Sequence, residues 1–489
     1  MTLKQSLRLV AAAILVSVLG TSCGQVTSQT VETRVGKLDF ELGVPTQETV
    51  ARLYDEMDFQ RACQLYLWGV PIVSSAHTRA WGQFTAGMRD CDVLMLEGYQ
   101  SLSGVLTPNL VTPYVCPYVD LASTGPVVLD LPAGLIAGAA DDFWQRPLTD
   151  FGVTGPDQGK GAKYLFVGPG QEVAETEGYV VVRSPTFGVN IFYRALDPDP
   201  TKAEAAKRGV QFYPWSQRAN PPATRFLTPD PDKVTQMPTF PRGLEYWEWL
   251  AEVLYREPVE DRDRFFLAML KPLGIEKGKP FQPDERQKKI LTDAALVGEA
   301  MVKALAFNKR AEGALYRPDT HWQYLLTLDP EQDLEGYSQI DERAAYFYEA
   351  FFITKAMFST TPGVGSAYLE TFRDREGHAL DGGKAYRLHV PPDPPAKQFW
   401  ALTVYDVDTR GLIQNKEQIA DRNSRQPDLV QNGDGSVDLY FGPTAPEGWE
   451  KNWIPTVPGK SWYVWLRFYG PLESYFDRTW PLPDIEEVR

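Results

Sequence analysis

The feature that most limits how this chain can fold is its punctuation. From about Leu106 onward, short apolar runs recur between prolines and glycines. The runs at 114–121, 127–131, 164–167, 179–182 and 189–193 are too short for helices and read as strands separated by turns. The end of the chain has the same texture at 386–390, 399–405, 437–441 and 462–469. In the last of these, Trp462, Val464, Leu466 and Phe468 alternate with Tyr463, Trp465, Arg467 and Tyr469, so the two sets face opposite sides of a sheet.

Helical spacing occupies the remainder. Thr46 is a plausible N-cap for an opening helix that ends near Gly69-Val70-Pro71. Leu244, Trp247, Leu250 and Leu254 mark one later helix, and Phe265, Phe266, Met269 and Leu270 mark another that Pro272 and Gly274 stop. After Pro283, Asp284 and Glu285 suit the positive end of a helix dipole, and Ile290, Leu291, Ala294, Val297, Met301 and Leu305 line one side. A further helix is expected over 341–357.

Helix, strands, helices, strands is an order without the βαβ alternation of a parallel sheet. The expected fold is therefore mainly β with helical insertions: two antiparallel β-sandwich domains joined by a helical segment. Prolines crowd residues 197–241, each removing a backbone donor, and place the interdomain connection there. The expected boundaries are a first β-rich domain at 45–196, the Pro-rich connection at 197–241, a helical segment at 242–360 and a second β domain at 361–489.

The first residues concern compartment. Lys4 and Arg8 precede an apolar run from Leu9 to Leu19, which is a signal-peptide pattern and well short of the roughly 20 apolar residues a spanning helix needs. Leu19-Gly20-Thr21-Ser22-Cys23 resembles a bacterial lipobox, although Gly20 stands where leucine is preferred. A signal peptide at 1–22 and either lipidation at Cys23 or plain secretion follow as expectations. Residues 23–44, polar and rich in Thr, Ser and Gln, read as a tether. The expected location is the cell envelope, with a lipid at Cys23 as the sole membrane contact, or the exterior.

A formal charge of −15 without a basic block makes nucleic acid an unfavourable partner. Beyond Cys23 only Cys63, Cys91 and Cys116 remain, which allows buried thiols or one pairing between Cys91 and Cys116. Among His77, His321, His378 and His389 there is no HxH, HExxH or HxxxH pair to seat a metal, so no metal or other cofactor is expected. His77, near Trp81, is the best of the four for acid–base work. GxSxG is absent, and residues 155–161 miss the phosphate-loop spacing. Carboxylates pair at Asp141-Asp142 and at Asp406 and Asp408, the latter expected on one side of a strand end, where paired acids can share a proton or cap turns.

Several motifs carry a family likeness. Tyr66 to Pro71, Thr107-Pro108-Asn109, Asp120-Leu121, Gly125 to Val128 and Asp142-Phe143-Trp144 leading to 155–165 resemble the bacterial domain of unknown function numbered 1254. Residues 405–410, 434–437, Asn452-Trp453-Ile454 and 466–471 resemble its companion numbered 1214. The resemblance implies two sandwiches of jelly-roll character and supplies no agreed catalytic set. Residues 110–114 depart from the pattern by placing Pro113 after Thr112.

Two functions from different classes follow as expectations. One is an envelope protein that binds a small molecule or glycan, or assembles with a neighbour, homo-oligomers included. The other is a hydrolase or lyase working through Asp406, Asp408, Arg467 and Tyr469, joined by Asn109 and Asp142 from the other half. Convergence of those six in one pocket separates the two.

Overall fold

A computed structural model describes residues 28–488 of the chain. The signal peptide at 1–22 and Cys23 lie outside the described residues. The chain divides into two compact units, 1–58 and 59–489, and the boundary falls inside a 40-residue helix, Gln47–Ala86. Helix and strand each account for 28% of the described residues, so the fold is mixed.

In the first unit the segment read as a tether is structured. Strands Gln29–Thr33, Gly36–Glu41 and Val44–Pro45 form an antiparallel sheet in the order of the chain. Gly36, at φ +98°, makes the tight turn, and Thr33 donates its hydroxyl to the Gly36 carbonyl at 2.8 Å. Local pairing of β-branched residues supplies what this polar segment lacks in apolar surface. Thr46 caps the helix as expected, accepting from the Thr49 amide at 3.3 Å.

That helix does not stop at Pro71. From Leu65 to His77 every residue is buried. A helix enclosed on all sides gains enough packing to offset the one backbone donor that proline removes.

The second unit contains two pairs of sheets. A six-stranded sheet runs in the order Phe226–Leu227, Val93–Leu96, Tyr114–Asp120, Gly188–Ala195, Ile136–Asp142, Pro147–Gly152. It shares one apolar core, through Val93, Val115 and Ile191 against Leu129, Tyr164 and Phe166, with a four-stranded sheet ordered Tyr179–Arg183, Ala162–Val167, Val127–Leu131, Gln211–Pro214. The last strand corrects a boundary: Gln211–Pro214 pairs with Val127–Leu131, so the Pro-rich stretch begins inside the first sheet system. It also holds the helix Pro200–Arg208, capped by Asp199, because a proline at a first turn forfeits no intrahelical bond.

Further along, a five-stranded sheet is ordered Gln323–Tyr324, Ser366–Thr371, Trp462–Pro471, Ala396–Asp406, Asp421–Asn423. Leu369, Val404 and Leu466 pack in one core with Leu388, Leu439 and Ile454 of a four-stranded sheet. Most pairings in both systems are antiparallel, the exceptions including Val437–Gly442 with Trp453–Pro455. Between the two systems in sequence come the helices Leu244–Arg256, Arg264–Leu270 and Glu285–Phe307, and a fourth, Ile340–Glu349, follows the first strand of the second system. Asp284 and Gln287 close a capping box on the third. The fourth ends earlier than its spacing predicts, since Ala350 is extended and Phe352 takes φ +77°.

Among the described residues no helix is long and apolar enough to cross a membrane. Cys91 and Cys116 are free thiols and form no disulfide with each other.

Candidate functional site

Each large sheet of the second unit has one face in its own core and a second face turned elsewhere. Strand alternation sets which side chains the second face carries. On Tyr114–Asp120 these are Tyr114, Cys116 and Tyr118. On the antiparallel neighbour Gly188–Ala195 they are Asn190, Phe192 and Arg194, with Asn190 opposite Tyr118. On Trp462–Pro471 they are Trp465, Arg467 and Tyr469, as the alternation predicts, and Tyr368 stands opposite Arg467 on the next strand. All of them line one cavity of about 160 Å³, together with the 104–109 loop, Phe351, Phe352 and His77 to Trp81 of the long helix.

The polar residues gather in two places. At one end Asn109 donates from its side-chain amide to the Tyr469 hydroxyl, and its backbone N–H donates to the Tyr114 hydroxyl at 2.9 Å. Arg467 donates to the Thr403 hydroxyl at 3.1 Å and the Thr107 carbonyl at 2.9 Å, and its guanidinium lies 4.9 Å from the Trp465 ring. Arg194 sits 5.7 Å from the Tyr114 ring and 6.0 Å from that of Tyr469, with its Nε buried and without a hydrogen-bond partner. The other end holds His77, Arg79 and Tyr118. There Arg79 lies 4.7 Å from the Tyr118 ring and pairs with Asp120 at 3.3 Å and Asp90 at 3.5 Å.

Among the described residues no Asp or Glu lines the cavity. Burial pushes the Cys116 thiol up to about 12 and the His77 imidazole down to about 4. Neither is poised as a nucleophile or a charged acid at neutral pH. Among the described residues no group of three or more His, Cys, Asp or Glu could hold a metal ion.

Of the six expected site residues, the cavity brings together Asn109, Arg467 and Tyr469. The three carboxylates lie elsewhere. Asp406 ends its strand and caps a turn, accepting from the amides of Asp408 at 2.8 Å and Thr409 at 3.0 Å, with Lys460 at 3.2 Å. Asp408 does not share its side of the sheet: it meets Arg242 at 2.8 Å near the surface, and that hydrogen bond lowers its pKa. Asp142 holds the turn to Arg146, accepting from its amide at 2.9 Å, and burial raises its pKa against the pull of the arginine. Short carboxylates at strand ends were better placed to cap backbone than to reach a ligand.

The sequence reading missed Arg194, Tyr114, Tyr118 and Tyr368. A signal for the first was available, since an arginine two residues beyond Phe192 and four beyond Asn190 shares their face of a strand. The remaining histidines are paired, His321 with Asp484 and His389 with Asp438, each at 2.9 Å, and His378 with Asp374 at 3.6 Å.

Residues 94–214 match the family model described as "Protein of unknown function (DUF1254)", and residues 365–473 match that described as "Protein of unknown function (DUF1214)". The chain is a DUF1254–DUF1214 protein. The cavity therefore lies where the two domains face each other, with Leu94, Tyr114 and Arg194 supplied by the DUF1254 domain and Tyr368, Arg467 and Tyr469 by the DUF1214 domain. The VPA0106 protein of Vibrio parahaemolyticus is similar in fold, at 18% identity and a TM-score of 0.54, over 88% of this chain and 100% of its own. An uncharacterized protein from Burkholderia cenocepacia is similar over 90% of this chain and 97% of its own, at 10% identity and a TM-score of 0.41. No curated protein matches the chain.

Proposed function

We propose that this DUF1254–DUF1214 protein binds a small organic anion with an apolar body in the cavity between its two domains. The observation that carries the reading is a charge imbalance. Arg194 and Arg467 line a largely apolar cavity that no carboxylate enters, and among the described residues neither makes an ion pair. Asp421 senses Arg467 electrostatically but spends its hydrogen bond on Asn423 at 2.8 Å. An unmatched buried cation is costly, and a carboxylate is a group whose two oxygens match the guanidinium fork. Hydrolysis or lysis through carboxylates draws no support from a cavity without one.

The test is a titration of cavity tryptophan fluorescence, from Trp81 and Trp465, with decanoate, decanol and decylamine. Decanoate should saturate the signal, and Arg194→Gln should weaken it at least about tenfold, or ~1.4 kcal/mol. Equal response to the amine, or an Arg194→Gln protein as avid as the parent, overturns the reading.

The same proposal places the protein in the cell envelope, held by a lipid on Cys23, on the strength of the leader pattern alone. Release of a Cys23→Ser variant from the membrane fraction is the expected result, and unchanged distribution sinks it. It further takes each pair of sheets as a jelly-roll sandwich, a reading supported by the shared cores and mostly antiparallel pairing. An experimental structure in which either pair splays apart, leaving no common core, refutes it.

A further inference from the structure

The far end of the cavity says more about the ligand than the arginines do. Tyr118 is four residues along its strand from Tyr114, and Asn190 is four from Arg194, which separates the two ends by roughly 13 Å. The stretch between them is apolar: Cys116 and Phe192 stand in the middle, flanked by Leu94. At the far end the Tyr118 hydroxyl and His77 Nε2 are buried and have no hydrogen-bond partner in the protein. His77 is 2% exposed and Tyr118 8%. Leaving such atoms unsatisfied costs about 1–3 kcal/mol each, so they mark where a bound polar group belongs.

The charge at that end is balanced. Arg79 lies over the Tyr118 ring, and Asp120 and Asp90 offset it together with Arg256, which also pairs with Asp120. The His77 imidazole is uncharged at neutral pH, because burial moves its titration down to about 4. A second carboxylate there would meet two existing ones behind Arg79 and no free cation. An uncharged hydroxyl or carbonyl can instead pair with both orphaned atoms. Size agrees: a cavity of about 160 Å³ is far larger than the roughly 10–15 Å³ that a single water needs.

Resting on the anion-binding reading above, we propose that the ligand is an elongated monocarboxylate bearing an uncharged hydrogen-bonding group at its far end, which His77 and Tyr118 receive.

Calorimetric titration of the full chain with decanoate, ω-hydroxydecanoate and decanedioate, at mildly alkaline pH, tests it. The hydroxy acid should bind at least about tenfold more tightly than decanoate, and decanedioate no more tightly than decanoate. Tyr118→Phe and His77→Phe should each bring the ratio of hydroxy-acid to decanoate affinity close to one. Tyr118→Phe keeps its ring, so an unchanged melting temperature verifies that the fold survives. If decanoate and the hydroxy acid bind alike to the parent protein, the far subsite is wrong and anion binding stands. If decanedioate binds most tightly, the far end accepts charge and the proposal is equally overturned. If none of the three binds, the anion reading fails and this one with it.

Discussion

Two polar clusters in the second unit look alike in the sequence and differ in one physical respect. Around Asp406 and Asp408, each carboxylate has a counterpart: Lys460 for the first, Arg242 for the second, and Glu299 at 3.0 Å as a further partner for Arg242. Around Asn109, Arg467 and Tyr469, hydrogen bonds are plentiful and countercharge is missing. The first cluster completes a turn and needs nothing from outside. The second is complete only when something negative arrives, which is why proximity of polar residues alone did not distinguish them.

A third cluster breaks the comparison most severely if the reasoning is wrong. Lys309, Glu349 and Glu370 are almost wholly enclosed next to the cavity wall, with Lys309 bonded to Glu370 and 3.8 Å from Glu349. Burial, then the neighbouring Glu370, hold the Glu349 carboxyl well above its usual range. Lys309→Met removes the one cation that the two buried carboxyl groups share. Its expected cost is about 3–5 kcal/mol, read as a shift of the urea midpoint. Adding Glu370→Gln should recover much of that loss. A single variant as stable as the parent would show that buried charges here need no match, and the case for Arg194 and Arg467 would weaken with it.

Glu257 is an intermediate case. Its carboxylate accepts from the amides of Phe187 at 2.7 Å and Gly188 at 2.9 Å, where the strand bearing Asn190 and Arg194 begins. Burial outweighs those bonds and raises its pKa from 4.5 to about 7. The folded protein therefore keeps a proton that the unfolded chain releases. The stability this contributes is full below about 4.5 and is lost as pH climbs to about 7. The expected loss is on the order of 3 kcal/mol at most. Urea unfolding across that window should show the slope in the parent and not in Glu257→Gln. An identical slope in both would assign the titration to another group.

These contrasts also mark what the sequence could disclose. Period-two alternation put Arg467 and Tyr469 on one face correctly, because a strand's side-chain period is independent of what it packs against. In the first domain, Val93–Leu96, Ile136–Asp142 and Pro147–Gly152 were not read, whereas five strands were legible as apolar runs between turns. The convergence of Arg194 with Arg467 was not: the residues are distant in the chain, and only the pairing of sheets brings their faces together. Pro71 was misread as a helix end because a local rule was overridden by burial on all sides, and residues 29–45 because a small hairpin sheet needs little apolar surface.

The smallest expected effect bears most directly on the comparison. In the ligand-free protein, Arg194→Gln removes a cation that has no carboxylate partner and should leave stability unchanged or raised by up to about 1 kcal/mol, while anion affinity falls. Asp408→Asn removes a paired and half-exposed charge and should lower stability by about 1 kcal/mol or less, while anion affinity holds. Thermal melts with and without decanoate measure both quantities on each variant, since ligand that binds only the folded state raises its melting temperature. Opposite signs in stability paired with opposite outcomes in binding are what an unmatched functional charge produces. If Arg194→Gln destabilises the free protein as a core ion pair would, Arg194 is satisfied within the fold and the cavity loses its claim on an anion.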